Sequence, residues 1–272
     1  MVVLGGLVLV ALAAGLTLYG PITQPEAYHR FVDTRAWLSV PNAADVLSNL
    51  GFVVVGVMGL WRTWVMAKRM RAAGCGRVGV DVAAMDPVCL AVFFTGVLLT
   101  GPGSAWYHLA PDNTTLVWDR LPMTVAFAGL VAAVVNDRLA VRASVAAWLL
   151  GVLMLLGVFS VMWWHRGEVA APGQGDLRPY AMVQYGGLLC AVMLAFSPGR
   201  MHGRGALALA CGLYVLAKVL EGTDGQVWRL TGGLVSGHTL KHAAAACGAG
   251  VLVWSLGAKV RAKVAVSNAE KR

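Results

Sequence analysis

The stretch SAWYHLAPDNTTLVWDRLP, residues 104–122, places a serine, a histidine and two aspartates between two long apolar runs. The whole chain of 272 residues is 58% hydrophobic and only 13% charged. About a quarter of the residues of a soluble domain are charged, so this composition is typical of a membrane protein. The polar stretch is therefore expected at a membrane edge, where a short turn joins two spanning helices.

Apolar runs close to the roughly 20 residues that cross a bilayer occur eight times along the chain. They cover approximately residues 2–19, 44–67, 86–107, 121–137, 143–164, 179–196, 205–222 and 235–257. The first run lacks the basic start of a signal peptide, so we expect it to be retained as a helix. The runs are rich in Gly, Ala and Ser, which let helices pack closely in lipid. The predicted fold class is an all-α integral membrane protein that forms one compact helical bundle.

Lys and Arg are distributed unevenly between the two ends of the predicted helices. Fourteen lie at one set of alternate ends and six at the other. Because positive charge near helix ends stays on the cytoplasmic side, both termini are predicted to be cytoplasmic. The Ala-, Gly- and Val-rich composition and the short loops favour a bacterial inner membrane protein. The net charge of +9 is then an orientation signal, and without a basic patch interleaved with aromatic residues we expect no nucleic-acid partner.

Histidines rather than cysteines form the candidate metal site, since the five cysteines include no CxxC pair. Ser104 and His108 are four residues apart on one helix face, at the end of the third predicted span. His238 and His242 repeat this spacing at the start of the last span, and the charge pattern predicts the same membrane depth for all four side chains. Three neutral imidazoles that leave a fourth position open are the ligands of a catalytic zinc site.

An acidic residue is expected close to these histidines. Asp119 is predicted to begin the fourth span, after the short polar turn. A carboxylate beside a zinc site is a candidate general acid and base. Simpler alternatives exist for each residue: an edge histidine is often only hydrogen-bonded, Asp119 could cap its helix, and Ser104 could be a packing residue. Ionisable groups inside a bundle are costly, so their coincidence at one level favours a functional site.

The order of S-x3-H, Asp and H-x3-H resembles the alkaline ceramidase family, which belongs to the CREST superfamily of intramembrane zinc hydrolases. The segment PNAADVLSNLGF, residues 41–52, is similar to the start of the first core helix in bacterial-type members. The segment TGGLVSGHTLKH, residues 231–242, is similar to their last-helix motif. The three motifs occur in the family's order and together extend over most of the chain.

The resemblance implies a seven-helix core around one zinc ion, with one additional helix at the N-terminus. Residues 1–20 would be that extra transmembrane helix and residues 21–43 an extracytoplasmic segment. Residues 44–258 would form the zinc hydrolase core, and residues 259–272 a basic cytoplasmic tail.

The resemblance also implies a role for each residue of the candidate site. His108, His238 and His242 would bind Zn²⁺, Asp119 would handle protons, and Ser104 would lie beside the reacting carbonyl. Zinc lowers the pKa of a bound water molecule and polarises an amide carbonyl. A serine hydroxyl can stabilise the developing oxyanion. With the zinc site near the outer face of the membrane, the substrate would be a membrane lipid.

The implied reaction is hydrolysis of ceramide, or of a ceramide-like N-acyl lipid, to a sphingoid base and a fatty acid. Two other functions share every motif quoted above. One is a phospholipid ester hydrolase that uses the same site, and the other is a lipid receptor in which zinc is structural. The sequence identifies no protein partner.

A second metal is implied by the resemblance, since relatives carry a calcium site in the N-terminal segment. The candidate ligands here are Asp33 and Asn42, although calcium prefers six to eight oxygens. Alternatively, Asn42 or Asp45 starts the following helix.

Glu221 and Asp224 lie near the predicted level of the zinc ion. Either carboxylate could orient a ligand histidine from the second coordination shell. Alternatively, Glu221 forms a structural ion pair with Lys218, three residues before it.

Overall fold

The computed structural model describes residues 2–72, 87–197 and 204–269, and most of these residues are helical. In chain order the helices are α1 (Val2–Tyr19), α2 (Ala43–Ser48), α3 (Leu50–Ala72), α4 (Pro87–Leu109), α5 (Asn113–Leu139), α6 (Ala143–Ala170), α7 (Arg178–Ala181), α8 (Gly187–Ala195), α9 (Arg204–Gly222), α10 (Asp224–Leu230) and α11 (Gly237–Ala269). A π-helical turn, Met182–Gly186, joins α7 to α8. The prediction of an all-α protein is confirmed for the described residues, which contain no β-strand.

Five helical segments in the described part of the chain are long and apolar enough to cross a membrane. They are Ala43–Ala72, which comprises α2 and α3, Pro87–Leu109, Asn113–Leu139, Ala143–Ala170 and Gly205–Gly222. These segments fit a multi-pass membrane protein, as the composition predicts. Each of the eight predicted apolar runs overlaps at least one helix.

Helix α5 begins earlier than the apolar run predicts, because a capping box lies before it. Asp112 Oδ1 accepts a hydrogen bond from the Thr115 N–H at 2.6 Å, and Thr115 Oγ1 accepts one from the Asp112 N–H at 3.1 Å. These two bonds satisfy amides that otherwise have no partner at a helix start. The prediction that Asp119 begins this helix is wrong, and so is the alternative that it caps the helix. Asp119 lies in the second turn, where no cap is needed.

Helix α11 is longer than the last predicted span and continues to Ala269. The start of the predicted cytoplasmic tail, residues 259–269, is therefore helical. Its Ala and Lys residues favour a helix. Residues 270–272 of the tail lie outside the described residues.

Close approach of α4 and α5 depends on glycine. A Cβ atom added to Gly96 would collide with the Ala126 backbone, and one added to Gly129 would collide with the Phe93 backbone. In lipid, where burial of apolar surface does not drive helix association, such contacts supply the van der Waals attraction that holds helices together. Helix α4 is thereby fixed against α5, and these are the helices that carry Ser104, His108 and Asp119.

Residues 21–42, here called the cap segment, run across one end of the bundle. The Leu177 N–H donates to the Ile22 carbonyl at 2.8 Å, and Arg35 Nη2 donates to the Leu234 carbonyl at 3.0 Å. Leu177 precedes α7 and Leu234 precedes α11, so the turns before these two helices lie at the same end of the bundle. The cap segment ties them together.

The glycine contacts predict different effects of one added methyl group at two positions. Gly129→Ala should lower the melting temperature of the purified protein, since an overpacked contact costs about 1–3 kcal/mol. Gly151→Ala in α6 is the matched control, because a Cβ at Gly151 has no atom within 4 Å. The control should be neutral or slightly stabilising, as alanine favours a helix over glycine. Equal melting temperatures for the two variants would contradict this account of the packing.

Candidate metal centre

Three buried histidines come together where α4 ends and α11 begins. The His108 ring centroid lies 4.9 Å from that of His238 and 5.0 Å from that of His242, and the last two are 5.2 Å apart. One nitrogen of each ring lies within 4.8 Å of the others, and no ring is more than 5% exposed. This group could bind a metal ion. No other set of three or more His, Cys, Asp or Glu side chains in the described ranges has such an arrangement.

Two of these rings carry a nitrogen that has no hydrogen-bond partner among the residues that the structure describes. They are His108 Nδ1 and His238 Nε2, and both atoms are buried. A buried polar atom left without a partner costs about 1–3 kcal/mol. Buried polar groups are normally paired, so each of these two requires an explanation. A metal ion supplies one, because an imidazole nitrogen binds a metal through its lone pair.

The third ring, that of His242, has a neighbour that determines which ring nitrogen carries the hydrogen. Ser48 Oγ lies 2.7 Å from His242 Nδ1 and also donates to the Asp45 carbonyl at 2.9 Å. A serine hydroxyl has one hydrogen, and here the Asp45 carbonyl receives it. Ser48 Oγ must then accept a hydrogen bond from His242 Nδ1–H, which leaves the lone pair of Nε2 available to a metal. A hydrogen bond to the outer nitrogen is how proteins orient metal-binding histidines.

Three further side chains hold His108 and His238 in place. The Phe31 ring packs against both imidazoles, with centroid distances of 4.7 Å to each. Asn42 Nδ2 donates to the His108 carbonyl at 2.8 Å, and Asp224 Oδ1 accepts a hydrogen bond from the His238 N–H at 2.8 Å. Asp224 therefore positions His238 through its backbone rather than through its ring.

A largely apolar cavity of about 490 Å³ lies beside the histidines, and His242 lines it. Phe93 and Leu207 are among its apolar walls, and Ser104 and Asp119 also line it. Ser104 is only 2% exposed and borders the same cavity as the Asp119 carboxylate. The predicted serine, acid and one predicted metal ligand thus border a single cavity.

Glu221 lies at the same cavity and binds two lysines. It pairs with Lys218, the predicted ion pair, and with Lys241 Nζ at 2.7 Å. Its Oε1 also accepts a hydrogen bond from the Tyr28 hydroxyl at 3.2 Å. These contacts use both carboxylate oxygens, so Glu221 orients lysines and a tyrosine instead of an imidazole.

The candidate calcium ligands are engaged by other groups. Arg35 Nε and Nη2 donate to the Asp33 carboxylate at 2.8 and 2.7 Å, and this hydrogen bonding holds the pKa of Asp33 below its ordinary value. Asn42 precedes α2 directly, and its amide binds the His108 carbonyl, as described above. Calcium binding stays a prediction, and these contacts give it no support.

The described residues form a helical fold that fits a multi-pass membrane protein, and they contain a buried group of three histidines. A comparison with protein-family models finds no match, and no curated protein matches the chain. Membership of the alkaline ceramidase family therefore stays a prediction that rests on the motifs.

Several neighbours of the centre are not identifiable from sequence spacing. Phe31 reaches the histidines from an irregular segment, and Ser48 reaches His242 from a helix almost two hundred residues earlier in the chain. Arg120, which lines the same cavity, does carry a signal. It directly precedes the apolar run 121–137 and lies within the Asn113–Leu139 segment of the structure, and charged residues in membrane-spanning segments are usually functional.

Loss of any one imidazole should abolish tight metal binding, because two ligands hold an ion far more weakly than three. We expect His238→Ala and His242→Ala to purify without the metal that the parent carries, measured by elemental analysis. Ser48→Ala removes the hydrogen bond to His242 Nδ1, together with the one to the Asp45 carbonyl, and should weaken metal affinity by roughly 10- to 100-fold. His165→Ala, a histidine outside the group, is the control and should retain the metal. Full retention in both of the first two variants would disprove the site.

Proposed function

We propose that the protein is a zinc-dependent hydrolase that cleaves the amide bond of ceramide, or of a ceramide-like N-acyl lipid, within the membrane. The observation that carries this proposal is the meeting of three kinds of group at one cavity. An imidazole of the histidine group, the Asp119 carboxylate and apolar walls line the same space. Such a cavity suits an acyl chain attached to a hydrolysable polar linkage.

The three histidines fit zinc in number and in chemistry. Zn²⁺ accepts neutral imidazole ligands, and catalytic sites use three protein ligands with one position left open. His108, His238 and His242 would hold the ion. When bound, zinc would act as a Lewis acid that acidifies water and polarises a carbonyl group.

Asp119 is the side chain that would move protons. Its carboxylate would accept the proton that an attacking water loses, and would then deliver this proton to the leaving nitrogen as the C–N bond breaks. The products are a fatty acid and an amine. Glu221 is less suited to this role, because two lysines already neutralise it.

Ser104 would have two successive roles. Its hydroxyl carries one hydrogen and can donate it to one acceptor at a time. Without substrate it would donate to Asp119, which borders the same cavity, and so would position that carboxylate. Donation to the carbonyl oxygen of the substrate, which would stabilise the oxyanion, requires the hydroxyl to turn away from Asp119.

The choice of the amide over an ester is supported by the resemblance of the motifs to alkaline ceramidases. The same resemblance supports a seven-helix core preceded by α1. The charge distribution supports cytoplasmic termini and a metal centre near the outer face of a bacterial inner membrane.

Asp119→Asn tests the hydrolase directly, because it keeps the size of the side chain and removes the base. The variant should fold and retain zinc, yet release fatty acid from an N-acyl sphingoid lipid at least ~100-fold more slowly than the parent. Asp112→Asn is the matched control, since asparagine also caps helices and Asp112 does not line the cavity. It should keep nearly full activity.

Three results would redirect the proposal. A zinc-loaded parent that cleaves neither ceramides nor phospholipids over a wide range of chain lengths would favour the lipid receptor. Cleavage of an ester but not an amide would keep the hydrolase and change its substrate. Equal activity of Asp119→Asn and the parent would show that another residue is the base.

Thr114→Cys tests the orientation, because Thr114 is exposed at the start of α5, at the end of the bundle that carries the centre. The introduced cysteine should react with a membrane-impermeant maleimide in intact cells. The native Cys75, which lies outside the described residues, should react only after the cells are permeabilised. The reverse pattern of labelling would invert the topology.

A further inference from the structure

Arg120 is a buried cation with an incomplete set of partners. The residue is only 5% exposed, and its Nη1 atom makes no hydrogen bond within the described part of the chain. Among the described residues its side-chain hydrogen-bond partner is the neutral Gln24, whose Oε1 accepts from Nη2. It forms none of the ion pairs found among the described residues. Buried arginines are normally paired with an acid, so this arrangement calls for an anion.

Aromatic rings surround the guanidinium and restrict its position. Its central carbon lies 4.2 Å from the Trp164 ring centroid, 5.0 Å from that of Tyr180 and 5.9 Å from that of Tyr28. Cation–π attraction lowers the cost of burying the charge but fills no hydrogen-bond position. The cage therefore fixes a planar donor without neutralising it.

The cavity that Arg120 lines has an excess of positive charge. Its ionisable lining consists of three cations, Arg120, Lys218 and Lys241, and two anions, Asp119 and Glu221, besides neutral groups, which gives a net charge of one positive unit. Glu221 is shared between the two lysines, so these three groups together keep one positive unit. Arg120 forms no ion pair with Asp119 or Glu221 among the described residues, so its charge has no direct acidic partner either.

We propose that Arg120 is the anion-binding residue of this cavity and that it pairs with a carboxylate or phosphate on a lipid whose chain occupies the apolar part. A guanidinium matches both oxyanions because its planar donors bind two oxygens at once. Anion binding by Arg120 does not depend on the proposed function. Only the identity of the bond that is cleaved rests on that function. If that function holds, the substrate or product that occupies the cavity is an anionic lipid.

Equilibrium binding to the full chain in lipid nanodiscs tests this role without relying on catalysis. The probes are radiolabelled dodecanoate, dodecyl phosphate and the neutral dodecanol, with empty nanodiscs to subtract partition into lipid. The parent should prefer at least one anionic probe over dodecanol by at least ~10-fold, the low end for a hydrogen bond to a charged group. The carboxylate and phosphate probes show which anion is preferred, and inorganic phosphate shows whether the chain is required.

Two Arg120 variants and one control test whether Arg120 causes the preference for the anionic probes. Arg120→Gln should lose the preference for the anion while dodecanol binds unchanged, and Arg120→Lys should retain part of it because the charge remains. Arg178→Gln removes a guanidinium that is paired with Asp176 and does not line the cavity, so it should bind like the parent. If Arg120→Gln does not fold, the Arg120→Lys measurement decides, and an undiminished preference for the anion there overturns the bidentate role.

Removal of the metal distinguishes anion binding by Arg120 from anion binding at the histidine centre. The preference for the anion should survive chelation of the metal if Arg120 binds the anion. A preference that is lost on chelation and kept in Arg120→Gln would assign the anion to the metal and overturn the proposal. Equal affinity of the parent for dodecanol and for both anionic probes would also overturn it. Anion binding with no hydrolysis in the parent would instead reject the proposed function and keep the role of Arg120.

Discussion

The architecture depends on keeping three neutral imidazoles buried side by side in an apolar bundle. Each ring would be better solvated in water, and the two unpartnered nitrogens, His108 Nδ1 and His238 Nε2, make burial more costly still. Hydrogen bonds from neighbouring side chains to the histidine backbone offset part of this cost. Asn42 binds the His108 carbonyl, and Asp224 binds the His238 amide. A bound metal would add stability of its own, because a preformed site exists only in the folded chain.

The cap segment is the second requirement, since the end of a helical bundle exposes backbone groups and side chains that need partners. Tyr28 meets Glu221, and His29 meets both Tyr107 and Asn113. The same segment carries Phe31 onto the imidazoles. An irregular stretch of chain thus does what regular helices cannot, because it reaches sideways across several helix ends. The Phe31 ring covers His108 and His238 at this end of the bundle.

Sequence patterns predict what is local and periodic. An i, i+4 spacing on a helix determines that His238 and His242 face the same way, and their meeting with His108 followed from placing all three at one membrane depth. The start of α5 was misplaced because hydropathy does not register the capping box of Asp112 and Thr115, which extends the helix into the polar turn. Contacts across the bundle, such as Ser48 with His242, depend on helix rotation and tilt. These are set by packing at glycines such as Gly96, which a single sequence does not resolve.

The charges at the cavity divide its polar lining into two parts with different chemistry. On one side both lysines form ion pairs with Glu221. Asp119 is then the remaining acid, and it has no cationic hydrogen-bond partner in the described structure. On the other side Arg120 is the cation that pairs with no acid in the ranges that the structure describes. These two residues are adjacent in sequence, yet successive residues on a helix point about 100° apart, so each can face a different group of the same ligand. A dication on the three histidines would add positive charge at the cavity that Asp119 and His242 both line. In the proposed mechanism Asp119 would serve as the base, and an anion in the cavity would be held by Arg120 instead of competing for the proton that Asp119 would carry.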